Sequence, residues 1–173
     1  GGTYFGPRGL AVAPDGKVIV ADTGHHCLIF YGPDGKYLNT VGSMGAGPGQ
    51  FTEPVGVAVS ADGEIYVADV GNLRIQVLGP DGMFRRQWNI LGWTEDPNAR
   101  IWVEPYIALG PNGSVYVTDS IKGMIHRFNQ SGGNVRLGVV AGGFGAPKGI
   151  ACDKEGNLYV ADAEQCRIIK TRF

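Results

Sequence analysis

Pro54-Val-Gly-Val-Ala-Val-Ser-Ala-Asp-Gly-Glu-Ile-Tyr-Val-Ala-Asp69 decides the fold, because versions of it occur four times along the chain. Pro7 to Asp22 and Pro147 to Asp162 align with it without a gap, and Glu104 to Asp119 fits the same register with two substitutions at its start. The closing aspartates Asp22, Asp69, Asp119 and Asp162 stand 47, 50 and 43 residues apart. A period of roughly 40–50 residues is that of a β-propeller blade, whereas a leucine-rich coil needs about half of it.

Within each copy, short β-branched and aromatic runs alternate with turn signals at a spacing of about eight to twelve residues, the pattern of consecutive antiparallel strands. The copy at Pro54 shows the order: Val57–Val59 (strand a), Ile65–Ala68 (b), Arg74–Leu78 (c) and Phe84–Trp88 (d). Pro-Asp-Gly at 14–16, 33–35 and 80–82 reads as hairpin turns. Pro sets φ, Asp bonds its own backbone and Gly supplies the left-handed residue. The b strands Ile65-Tyr-Val67, Val115-Tyr-Val117 and Leu158-Tyr-Val160 are apolar on both faces, so each sheet expects a cover on both sides. Tyr4, Phe51, Ile101 and Phe144, three residues before each copy, read as wedges anchoring the linker between blades. The expected fold is all-β, a β-propeller of four-stranded antiparallel blades forming a single domain over 1–173. Its blades are 7–42, 54–88, 104–140 and 147–173, the last without its strand d.

The run from Pro54 to Gly82 and the linker Gly42-Ser-Met-Gly-Ala-Gly-Pro-Gly-Gln-Phe51 resemble the NHL repeat, a β-propeller blade family. The resemblance extends over essentially residues 3–172. It implies Asn three residues after the closing Asp and Arg five after it. Asn72 keeps the first, where His25, Lys122 and Gln165 stand in the other copies. Arg74 and Arg167 keep the second, where Cys27 and Met124 stand otherwise. Glu104 and Tyr106 replace the usual Pro and Gly, so the third copy has drifted or been recruited for binding. The resemblance also implies a protein-interaction or assembly role and an extracytoplasmic, bacterial setting. Its alternatives are a metal-dependent lyase-like enzyme of the NHL propeller type and an RNA-binding propeller.

Composition narrows these choices. Twenty-nine glycines exceed twice the usual share of about 7%, but without a Gly-X-Y period they punctuate turns and do not build collagen. Fifteen Lys and Arg against sixteen Asp and Glu give a formal charge of −1, which lacks the basic excess that nucleic-acid binding uses. Arg8, Arg74, Arg100, Lys122, Lys148 and Arg167 are interleaved with Glu53, Glu95, Asp96, Glu104 and Glu164, a mixed surface rather than a basic face. No run approaches the roughly 18 apolar residues of a membrane span, so membrane insertion is not expected of this segment.

With the fourth copy ending at strand c, three arrangements are open: an arc of a larger propeller, a four-bladed ring, or an arc completed by another copy or chain. The last would pair an incoming strand with the unpaired edge Ile168, Ile169, Lys170 and Thr171. Strand alternation puts the b–c and d–a loops on one side and the a–b and c–d turns on the other. Function is expected on the first side, where the sequence is irregular.

The aspartates Asp22, Asp69, Asp119 and Asp162 read as caps of their own turns, since one duty recurs at one offset. His25-His26-Cys27 with Cys166 has ligand types suited to zinc, but adjacent residues point apart and no CxxC or HExxH spacing supports a site. A Cys27–Cys166 disulfide stays open. His126 lies on a c strand away from the axis, so the histidines do not reproduce a channel metal site. No catalytic residue, metal or cofactor is assigned, and the chain is read as no enzyme. The linker Trp88 to Trp102 holds all three tryptophans, and with it Trp93, Arg100, Glu104 and Tyr106, supported by Arg74, form the candidate binding patch. The expected partner is another protein or a second copy.

Overall fold

The computed structural model describes residues 5–90, 104–134 and 143–173. The chain divides into two compact units, Gly1–Trp93 and Thr94–Phe173. Among the described residues, apart from two single-turn 3-10 helices, the regular elements are strands.

In the first unit, β1 (Pro7–Val12), β2 (Val18–Asp22), β3 (Cys27–Tyr31) and β4 (Tyr37–Val41) form one four-stranded sheet in sequence order. Strands β5 (Pro54–Val59), β6 (Ile65–Asp69), β7 (Arg74–Leu78) and β8 (Phe84–Asn89) form a second. Every pairing is antiparallel, with a register shift at the same place in each strand a, between Pro7 and Leu10 and between Pro54 and Val57. The sheets pack face to face: Ile19, Ala21, Leu28 and Phe30 of the first meet Val57, Ile65, Val67 and Leu78 of the second. Phe51, fully buried, fills the space between them as its place before strand a predicts. The backbones of the two sheets approach closely at Gly9, where any Cβ would collide with the Val55 carbonyl.

The second unit repeats the plan with β9 (Ile107–Leu109), β10 (Val115–Asp119) and β11 (Met124–Phe128) in one sheet and β12 (Pro147–Cys152), β13 (Leu158–Asp162) and β14 (Arg167–Thr171) in the other. Tyr116 and Ile125 pack there against Leu158 and Val160, with Phe144 as the wedge. The other two expected wedges, Tyr4 and Ile101, and the expected strand d of the third blade lie outside the described residues.

The turns form for the reasons the sequence gives. Asp15, Asp34 and Asp81 each accept the N–H two residues on, at 3.2, 3.1 and 3.0 Å, and Gly16, Gly35 and Gly82 take φ of 83°, 77° and 78°. A second repeated device is less visible. Four residues after each closing aspartate stand His26, Leu73, Gly123 and Cys166, all left-handed, with φ of 56°, 55°, 60° and 48°. The b–c turn needs that conformation in every blade, and only the third blade supplies a glycine.

Candidate functional site

Each closing aspartate ends its strand b buried, so its carboxylate must be satisfied inside the protein. The bonds it accepts differ from the turn cap expected. Asp22 accepts the Phe5 N–H at 3.1 Å, Asp69 that of Thr52 at 2.7 Å, and Asp162 those of Gly145 and Ala146 at 3.1 and 3.0 Å. These donors belong to the segment entering strand a, not to the aspartate's own turn. In the first two blades that turn closes itself by backbone bonds, His26 N–H to Thr23 and Leu73 N–H to Val70, leaving the carboxylate for the linker. Asp119 caps its own turn through the backbone, accepting from Ile121 and Lys122 at 3.2 and 2.9 Å, while Asp22 and Asp69 reach theirs through the His25 and Asn72 side chains, at 3.0 and 2.8 Å. His126, buried on β11, adds its Nε2 at 3.2 Å.

Blade two elaborates the knot furthest. Asp69 also accepts from Asn72 at 2.8 Å, Arg74 Nε at 2.7 Å and Gln76 at 3.1 Å. Arg74 is only 4% exposed and places all five of its N–H bonds. Beyond Asp69 they reach the carbonyls of Ala46, Gly47 and Gln50 and the Gln87 side chain, at 2.7 to 3.0 Å. Gln76 takes the Gly49 N–H and donates to the Gln50 carbonyl. Arg74, expected to face a partner, therefore has no donor left for one; it holds the glycine-rich linker over the blade.

The remaining patch residues are only partly in view, since Trp93 and Arg100 lie outside the described residues. Glu104 accepts from Lys148 at 3.2 Å, and Tyr106 exchanges backbone bonds with Thr118, donating to its hydroxyl at 2.9 Å and accepting its N–H at 3.1 Å. Strand β14, with Ile168, Ile169, Lys170 and Thr171, pairs with β13 alone among the described residues, and Ile168 is 70% exposed. Lys170 sits 5.3 Å over the Tyr159 ring.

His25, His26 and Cys27 diverge, as neighbours on one turn must. His25 Nδ1 bonds Asp22 at 3.0 Å, His26 Nδ1 accepts the Glu53 N–H at 3.0 Å, and Cys27 is buried. Among the described residues no three His, Cys, Asp or Glu side chains are placed to hold a metal ion. All three cysteines are free thiols. Burial, then the Asp22 charge, pushes the Cys27 thiol up, and burial with Asp153 does the same at Cys152. Neither is a ready nucleophile.

What the sequence reading missed is a cleft of about 380 Å³ on the loop side of the first unit, lined by Phe5, Gly6, Arg8, Thr23, His26 and Glu53. It lies where the b–c turn of blade one meets the segments entering β1 and β5. The Phe5 ring is 69% exposed, 6.1 Å from the His25 ring. Thr23 donates its hydroxyl to the Pro54 carbonyl at 2.7 Å, tying the two blades together beneath the cleft. Glu53, at φ 54°, holds the left-handed place that Gly6 fills before β1. That non-glycine residue before Pro54 is the signal in the sequence, because it keeps a carboxylate where the local backbone favours none.

Comparison with known proteins supports this architecture. The NHL repeat family model matches residues 6–29 and 51–78. No curated protein matches the chain in sequence. Among solved structures, virginiamycin B lyase from Staphylococcus aureus, as an inactive variant with quinupristin, superimposes with a TM-score of 0.68 at 18% identity over 96% of this chain. Hydrazine synthase of Kuenenia stuttgartiensis gives 0.67 at 15% identity over 99%, and the WD40 repeats of RRP9 give 0.67 at 12% over 99%. The chain spans 55%, 51% and 52% of those three chains. With NHL repeats matched at residues 6–29 and 51–78, one in each blade of the first unit, and propeller structures aligned along nearly its whole length, this chain is built of β-propeller blades, two of which carry the NHL repeat.

Proposed function

We propose that the chain is a non-catalytic protein-interaction module that receives a partner protein on its b–c and d–a loops. The carrying observation is the loop-side cleft of the first unit, whose lining brings together the exposed Phe5 ring, Arg8 and Glu53. An exposed aromatic sharing a cleft with both charge signs suits a peptide segment with an apolar residue beside charged ones. The buried aspartates, which a catalytic reading would recruit, instead accept bonds from their own linkers and neighbouring side chains. The virginiamycin B lyases share the fold at 17–18% identity, and their chemistry is not carried over. An extracytoplasmic setting belongs to the same proposal and rests on the family resemblance; cell fractionation tests it.

A photo-crosslinking phenylalanine analogue at position 5, irradiated in the native host, tests the reading. Discrete protein adducts that vanish when Glu53→Arg is added are expected. The same adducts from a control label at Leu38 on β4, or no adduct at all, would overturn it.

A further inference from the structure

On the side opposite those loops, each unit has a crevice among its described residues where its two blades meet at the a–b and c–d turns. The two crevices occupy the same place in the repeat, so they can be compared position by position. In the first unit the crevice is about 200 Å³, and strand c contributes Phe30, strand b Ile19 and the facing turn Ala61. Its charged residues are Asp62 and the ion pair Lys17–Asp15 at 2.7 Å. In the second unit the crevice is about 230 Å³, and its charge is inverted. Arg127 stands where Phe30 does and Lys154 where Ala61 does. Arg172, ten residues after Asp162, stands where Gly79 follows Asp69. Asn112 and Ser114 replace Asp15 and Lys17, so Glu155 is the one acidic side chain in a lining that holds three cationic ones and Phe173.

The central cation is held in place. The guanidinium of Arg127 donates through Nε and Nη2 to the Ser114 hydroxyl at 3.2 and 3.1 Å and lies 5.8 Å from the centre of the Tyr116 ring. Its Nη1 donors have no partner among the described residues, and neither Lys154 nor Arg172 makes a hydrogen bond or ion pair there. Like charges brought together without an anion repel, a standing cost that an apolar crevice of the same repeat avoids.

We infer that this crevice is a binding site for a small phosphate-bearing anion. The planar fork of Arg127 fixes orientation, and Lys154 and Arg172 supply charge. The volume lies below the roughly 300–1,000 Å³ of pockets for drug-sized ligands, so the site suits a phosphate group with a small substituent. It lies on the turn side of the second unit, and the inference is independent of the partner-binding cleft on the loop side of the first.

Titration of inorganic phosphate into the uniformly 15N-labelled full chain, followed by amide chemical shifts at constant ionic strength, is the test. Saturable millimolar shifts confined to Gly110, Ser114, Gly156 and Arg172, weakened about tenfold or more by Arg127→Ala and partly restored by Arg127→Lys, are expected. Should Arg127→Ala fail to fold, the exposed double variant Lys154→Ala with Arg172→Ala must weaken the same titration. Shifts that do not saturate, that chloride reproduces, that appear equally at Ala61 and Gly63 of the first unit, or that survive these substitutions would overturn the site.

Discussion

Blades two and four carry the same pair at the same spacing, Asp69–Arg74 and Asp162–Arg167, yet the two pairs do different amounts of structural work. In blade two the contact is 2.7 Å and the arginine 4% exposed; in blade four it is 3.2 Å and the arginine 39% exposed. The difference lies in what surrounds the pair. The glycine-rich linker Gly42 to Phe51 folds over Arg74 and offers it three carbonyls, whereas Arg167 reaches one, that of Gly143 at 2.8 Å. A shared motif therefore gives a buried knot in one blade and a half-open tie in the other. Arg74→Ala attacks the knot most directly, since it leaves Asp69 buried and strips the linker of its donors. A loss of about 3–5 kcal/mol in chemical denaturation is expected. Arg74→Lys should recover only a small part, because one ammonium cannot reach five acceptors set around a planar fork. A loss near that of Arg167→Ala would break the comparison.

The same contrast between covered and open repeats holds for apolar faces. Val57 and Leu10 are equivalent residues of strand a, but Val57 is 7% exposed against the first blade while Leu10 is 67% exposed on the outer face of β1. Val57→Ala should cost about 1.5–3 kcal/mol, and Leu10→Ala should stay within about 0.5 kcal/mol. Paired urea titrations of the two variants measure the difference. Arg167→Ala comes next in size, at about 1 kcal/mol or less, because solvent screens a half-exposed pair.

These contrasts also mark how far the sequence could be read. Blade order, the Pro-Asp-Gly turns and the wedges Phe51 and Phe144 were legible, because each rests on local chemistry repeated at a fixed offset. The role of Arg74 was not: an arginine just after an irregular loop looks exposed, and only the fold of the distant Gly42 to Gln50 segment buries it. The aspartates looked like turn caps for a similar reason, since the N–H groups of Phe5, Thr52 and Gly145 lie 17 residues earlier in sequence. The cationic crevice was hidden because the turn side looked uniform. Its distinguishing residues, Arg127 and Arg172, sit on or beside strand c, away from the turns that drew the eye. Of the binding patch, Trp93 and Arg100 fall outside the described residues, so its geometry rests on Glu104 and Tyr106 alone.

Acid sensitivity sharpens the comparison at its smallest scale. Asn157, ahead of the opposing effect of burial, holds the Asp153 carboxyl down to about 2, with further help from the Asn157 N–H, Tyr159 and Lys170. At Asp162 burial pushes the carboxyl up, but the N–H groups of Ala146 and Gly145 and the Arg167 charge outweigh it, and the net shift is downward. A depressed folded-state value means stability that is present above the unfolded carboxylate range near pH 4 and is lost as pH falls through the folded value. The urea midpoint of the full chain should therefore decline from about pH 4 toward pH 2. Asp153→Asn should flatten that decline and lower the neutral-pH midpoint toward its acid value, because the stabilisation that acid removes from the carboxylate is then missing at every pH. A decline identical in slope to that of the unsubstituted chain would show that Asp153 is as free in the folded blade as in the unfolded chain, and that the turn holding it is looser than its hydrogen bonds imply.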